Sequence, residues 1–320
     1  LHLSIRRQRQ MCIRDSVVVW AEEAWEAQID RIGFRAPFPD QDLGGSDALD
    51  IYLTTDAGGA GSAWVDCDSD LDGCIDLDPN DGFAGASSFV VIDPRTDAAD
   101  FPHFVHHEFN HVLQYATDFD ELSLCVWEGT AVAAERWTDP TWSTNASDLA
   151  DYQATPWASA VLQDGYFLDD EFGLWSYYEY GCVAWVFWMD ETYGDGQGSI
   201  GPLLWQSLAQ EGAGDEPDVL DAWEKIAGSY RQSMLEFAAA SGLGRVPGAG
   251  GGNSGAFKEI AGFGVDHAAA ESAGGSRLRG EQARKRCEQG RREQVRRREH
   301  NPDKPARTVG VRGVFRGVER

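Results

Sequence analysis

The stretch from Phe101 to Tyr115 reads FPHFVHHEFNHVLQY and contains the word His107-Glu108-Phe109-Asn110-His111. Pro102 marks a place where a helix can begin, because a first-turn proline gives up no needed N–H. Side chains on a helix turn about 100° per residue, so His107 and His111 share one face about 6 Å apart along the axis. Two imidazoles so placed can hold one zinc ion at roughly 2.0–2.1 Å each. Glu108 can then reach a water on the open side of the metal and act as general base. Taken alone, the H-E-x-x-H word also fits an ordinary helix that carries histidines.

A second element gives the word its context. Val126 to Trp137, VWEGTAVAAERW, reads as another apolar, alanine-rich helix, and Glu128 near its start lies seventeen residues after His111. A carboxylate there can complete a site of two histidines and one acid, although a helix-start acid is also favoured by the macrodipole. Glu135 follows seven residues after Glu128, on the same face two turns on. It can orient a ligand histidine or be an ordinary solvated residue.

H-E-x-x-H followed by Trp127-Glu128-Gly129-Thr130-Ala131 resembles the gluzincin metallopeptidases. The wider text is similar to a little-characterised family of secreted bacterial zinc proteases. The features carrying that likeness are Leu49-Asp50-Ile51-Tyr52-Leu53, the two helices just described and the aromatic run Tyr180-Gly181 to Trp188, and it spans about residues 20–235. The resemblance implies an α+β, zincin-like fold: a small mixed sheet with an edge strand beside the H-E-x-x-H helix, then a mostly helical C-terminal subdomain. It implies His107, His111 and Glu128 as zinc ligands, Glu108 as catalytic base and a peptide or protein as substrate. Relatives use a tyrosine hydroxyl to stabilise the oxyanion, and among Tyr177, Tyr178 and Tyr180 the preferred candidate is Tyr180.

Outward from these words the chain divides by composition. Its formal charge is −26, spread unevenly. Residues 1–16 carry four arginines and one aspartate, and residues 276–320 carry fifteen basic and six acidic residues. Taking these from the totals of 27 basic and 53 acidic leaves eight and 46, a net of −38 for residues 17–275. A body so acidic repels nucleic acid and anionic lipid, which argues against both as partners. Residues 6–16, RRQRQMCIRDS, match the translation of a transposon-type sequencing adapter, so 1–16 is expected to be foreign to the fold. Residues 274–320, where arginine takes over, read as a frameshift product or a disordered tail, and 243–273 as a glycine-rich linker opening a truncated C-terminal region.

Within the 17–242 unit, Val17 to Ile32 has an apolar stripe of Val17, Trp20, Ala24, Ala27 and Ile32, which predicts a helix. Ala48–Thr54 and Ser88–Ile92 read as strands. In zincins the strand before the metal helix is commonly the edge strand that pairs with an extended substrate, so the resemblance assigns that role to 88–92. Gly173 to Tyr193 reads as a buried aromatic helix behind the metal helix, too short and too interrupted by acids to span a membrane. Two or three amphipathic helices follow in 202–242.

Between the strands, residues 66–78 read DCDSDLDGCIDLD. Asp68, Asp70, Asp72 and Asp76 stand at the first, third, fifth and ninth positions of a calcium loop, with Gly73 at the turn. Pro79 replaces the closing glutamate of an EF-hand, and the loop resembles the shorter thrombospondin or dockerin repeats. Calcium is therefore the second expected cofactor. Four cysteines remain in the unit, Cys67, Cys74, Cys125 and Cys182. They allow three disulfide pairings and point to an oxidising, secreted setting. The alternative from another class is a non-catalytic, calcium-dependent secreted binding protein on the same scaffold.

Overall fold

The computed structural model describes residues 2–40, 48–55, 57, 59–66, 82–97, 99–119, 121, 123–142, 152, 178–211, 219–243 and 309–312. The acidic loop with Asp68, Asp70, Asp72 and Asp76, together with Cys67 and Cys74, lies outside the described residues.

The chain is mixed α and β, and mostly helical. It opens with α1 (His2–Ala24), which runs without a break into a π-helical segment (Trp25–Ile32). Gly33 ends that segment in the left-handed region, at φ 99°, and its N–H reaches the carbonyls of Gln28 and Ile29. The predicted stripe is realised at Val17, Ala24 and Ala27, all buried. Gln28, on the same face as Val17 and Ala24, is also fully buried.

The sheet comprises β1 (Asp50–Leu53), β2 (Gly61–Val65), β3 (Ser88–Ile92) and β4 (Val309–Arg312), in the order β2-β3-β1-β4. β1 and β3 are parallel, pairing Ile51 with Val90, and β2 runs antiparallel to β3, pairing Ala63 with Val90. β3 thus lies between β1 and β2. The expectation that 88–92 forms the edge strand is corrected: among the described residues the edges are β2 and β4, and β2 is the one beside β3. The reason is visible in the burial. Ser88, Val90 and Ile92 are buried, whereas every β2 residue is at least partly exposed and Trp64 is open to solvent. A strand buried on one face and paired along both edges is interior by construction.

α2 (Phe101–Thr117) is the central helix, and most of its residues are buried. It packs against α1, β2 and β3, and against α3 (Leu124–Thr138). Further along come α4 (Tyr178–Gly181), α5 (Val183–Tyr193), α6 (Ile200–Glu211), α7 (Val219–Ala227) and α8 (Tyr230–Leu243). The aromatic run of α4 and α5 packs chiefly on α3, the helix of Glu128, rather than directly behind α2. Two features hold it there. Cys125 on α3 and Cys182, which precedes α5, form a disulfide. At Gly129 an added β-carbon would lie 3.2 Å from the Cys182 backbone, so the glycine after Glu128 lets the two segments touch. Among the described residues no helix is long and apolar enough to cross a membrane.

Candidate metal centre

Helical geometry sorts the side chains of α2. His107 and His111 face α3, while Glu108, one residue on, faces β2. Glu128, in the first two turns of α3, comes back towards the histidines. His107 Nε2 lies 3.0 Å from Glu128 Oε2 and 3.1 Å from His111 Nε2, and the third side of the triangle, His111 Nε2 to Glu128 Oε2, is 3.5 Å. Neighbouring ligand atoms round a tetrahedral ion held at about 2.05 Å stand about 3.3 Å apart. The triangle fits that spacing, and His107, His111 and Glu128 form the one such group among the described residues that could hold a metal ion.

The remaining ring nitrogens are committed elsewhere. His107 Nδ1 donates to Glu135 Oε1 at 2.8 Å, and Glu135 Oε2 accepts from the Trp142 indole at 2.8 Å. His111 Nδ1 lies 2.6 Å from Gln114 Oε1. With both Nδ1 atoms carrying protons, two Nε2 lone pairs and a carboxylate oxygen point at one another. That arrangement is repulsive unless a cation stands between them. Burial disfavours a charged His107, but its hydrogen bonds to Glu128 and Glu135 prevail and hold its pKa well above the ordinary imidazole range. Burial likewise disfavours a charged Glu128, but the His111 and His107 interactions hold it below the ordinary carboxylate range.

Glu108 is of another kind. It is buried, and its Oε2 has no hydrogen-bond partner among the described residues. Burial raises its pKa above the ordinary carboxylate value, against the pull of His111 and His107. Its space is provided by Gly61 at the start of β2, where a β-carbon would come within 2.8 Å of Glu108 Cγ.

Aromatic side chains wall the centre. The Tyr180 ring stacks on His107 with centroids 5.9 Å apart, and Trp127 packs 5.9 Å from His111. Tyr115 continues the row of His107 and His111 one turn further on, with its ring 4.7 Å from Trp127. Burial, with the charges of Glu108 and Glu128, pushes its phenol up to about 12. His103 and His106 stay apart from the triangle: His103 stacks on Trp142 at 3.5 Å, and His106 is buried on the side facing α1, 3.8 Å from Glu23.

The structure therefore brings His107, Glu108, His111, Glu128, Glu135 and Tyr180 together. Gly61, Gln114, Tyr115 and Trp142 were not foreseen. No known family, no curated protein and no solved structure matches the chain.

Proposed function

We propose that the protein is a secreted zinc peptidase of the gluzincin type. The observation that carries this reading is the convergence of His107 Nε2, His111 Nε2 and Glu128 Oε2 beside the buried carboxyl of Glu108, whose Oε2 has no hydrogen-bond partner among the described residues. Two imidazoles and one carboxylate suit zinc, which keeps a fourth position open in catalytic sites. The ion, when bound, supplies Lewis acidity and lowers the pKa of a water in that position towards about 7.

The chain's own residues do the rest. Glu108 accepts the proton of the attacking water and passes it to the leaving amine. The edge of β2, which no described strand pairs, starts at Gly61, against Glu108, and can hold an extended peptide through backbone hydrogen bonds. Tyr180, against His107, is the nearest described tyrosine of the aromatic run and the candidate donor to the oxyanion. Calcium in the loop of Asp68, Asp70, Asp72 and Asp76 would order a segment that otherwise repels itself. The Cys125–Cys182 disulfide supports an oxidising, extracellular setting.

Glu108→Gln tests the reading. It should keep stoichiometric zinc and lower cleavage of a peptide library by about 100- to 10,000-fold, the usual range for losing a general base. Unchanged cleavage would remove Glu108 from the mechanism. A zinc-loaded parent that cleaves nothing in the library would overturn the peptidase assignment.

A further inference from the structure

Three buried amides link the π-helical segment to His111. Gln28, Asn110 and Gln114 are all fully buried. Gln28 Nε2 donates to the His106 carbonyl at 3.0 Å and to Thr138 Oγ1 at 3.1 Å, leaving Gln28 Oε1 to accept from Asn110 Nδ2 at 3.0 Å. Asn110 Oδ1 in turn accepts from Gln114 Nε2 at 2.8 Å. The same Gln114 nitrogen lies 3.0 Å from the Trp127 carbonyl and 2.6 Å from Thr130 Oγ1. Gln114 Oε1 is then the atom that faces His111 Nδ1, at 2.6 Å.

The chain of bonds can run only one way. Backbone carbonyls accept and never donate, so His106 O and Trp127 O fix the faces of Gln28 and Gln114 from opposite ends. Thr130 reinforces the second end. Its hydroxyl proton goes to the Val126 carbonyl at 2.6 Å, and its oxygen accepts from the Trp205 indole and shares, with Asn110 Oδ1 and the Trp127 carbonyl, the two N–H groups of Gln114 Nε2. Turning Gln114 over would set its NH₂ against His111 Nδ1–H and its oxygen against three acceptors. In a dry interior each such mismatch is costly.

We infer that Gln28, Asn110 and Gln114 are positioning residues that hold His111 in the Nδ1–H tautomer and so aim its Nε2 lone pair at Glu128. The inference rests on the metal-centre reading, and it makes the helix at the N-terminal side part of that centre. The two ligand histidines are then held differently: His107 by the carboxylate of Glu135, His111 by a neutral amide. The amide fixes the ring without adding negative charge beside Glu108 and Glu128.

Nitrogen-15 NMR of the imidazoles in the full chain, stripped of metal with a chelator at pH 8, reads the tautomer directly, with no need for zinc binding or peptidase activity. His111 should show a protonated Nδ1 and a bare Nε2. Gln114→Met should mix the tautomers and weaken zinc binding by about 10- to 100-fold, as is usual when the partner of a ligand histidine is lost. Gln114→Glu, which still presents an acceptor to Nδ1, should keep the tautomer while lowering stability, because its second oxygen meets Asn110 Oδ1, the Trp127 carbonyl and Thr130 Oγ1. Gln28→Met should weaken zinc binding less, in the same direction. A protonated Nε2 on His111 in the parent protein overturns the inference whatever the variants do. So does Gln114→Met with an unaltered tautomer. If zinc fails to bind while His111 keeps Nδ1–H, the zinc reading falls and the amide relay stands.

Discussion

Gly61 and Glu108 are in direct contact: a β-carbon at position 61 would lie 2.8 Å from Glu108 Cγ and 2.9 Å from its Oε1. The glycine is therefore a spatial requirement of the carboxyl, since its φ is not in the left-handed region. Gly61→Ala must push the Glu108 side chain aside. A displacement of about 1 Å at a proton-transferring group can cost about 100-fold in rate. Gly61→Ala should accordingly lower peptide cleavage by about that factor while leaving the zinc stoichiometry at one. Steady-state kinetics with a metal assay on the same sample checks both halves.

Glu135 serves two donors at once, His107 Nδ1 and the Trp142 indole, one on each oxygen. A glutamine has a single acceptor oxygen, so in Glu135→Gln one of the two N–H groups must meet an NH₂. Zinc affinity should fall about 10- to 100-fold. Competition with a coloured chelator measures it, and Trp142→Phe, which removes the second donor, should return part of the loss to Glu135→Gln.

The disulfide between Cys125 and Cys182 closes a loop spanning 57 residues. In the chain-entropy picture a loop of that length stabilises the folded state by about 4 kcal/mol, and measured values are often lower. Cys125 stands three residues before Glu128 on α3. Replacing both cysteines with serine should lower the denaturation midpoint, as read by circular dichroism against denaturant. It should also weaken zinc binding through the freed α3–α5 contact at Gly129.

His106 carries a pH dependence of stability. Burial, helped by the neighbouring His103, pushes its pKa down from 6.5 to about 4, and the charge of Asp139 offsets only part of this. Between those values the unfolded chain holds a proton at residue 106 that the folded chain lacks. Stability is thus present above about pH 6.5 and is lost as pH falls towards about 4, by about 3 kcal/mol in all. His106→Phe should flatten that part of the profile. Urea denaturation of the metal-free protein at pH 7 and pH 5 provides the comparison.

The metal centre was legible because its two halves obey simple periodicities. His107 and His111 share a helix face by spacing alone, and Glu135 follows Glu128 by two turns. β3 was also readable, since Ser88–Ile92 is a short β-branched run. β2 was not: Gly61-Ser62-Ala63-Trp64-Val65 has weak strand character, and it is the neighbouring β3 that draws it into the sheet. The error over the edge strand follows from missing β2. Gln28 was not legible because it is polar: it stands eleven residues on from Val17, within about 20° of it on a regular helix, but a stripe drawn through apolar residues passes it by. Asn110 and Gln114 were invisible for a different reason. Their roles depend on which carbonyls face them from other helices, a tertiary fact with no local pattern.

The most direct measurement is anomalous diffraction at the zinc edge from crystals of the zinc-loaded protein. A single strong peak should stand within bonding distance of His107 Nε2, His111 Nε2 and a Glu128 oxygen, with the Glu108 carboxyl close by but not bonded to the ion. Zinc bound elsewhere, or a zinc-saturated protein with nothing among those three side chains, would contradict the account.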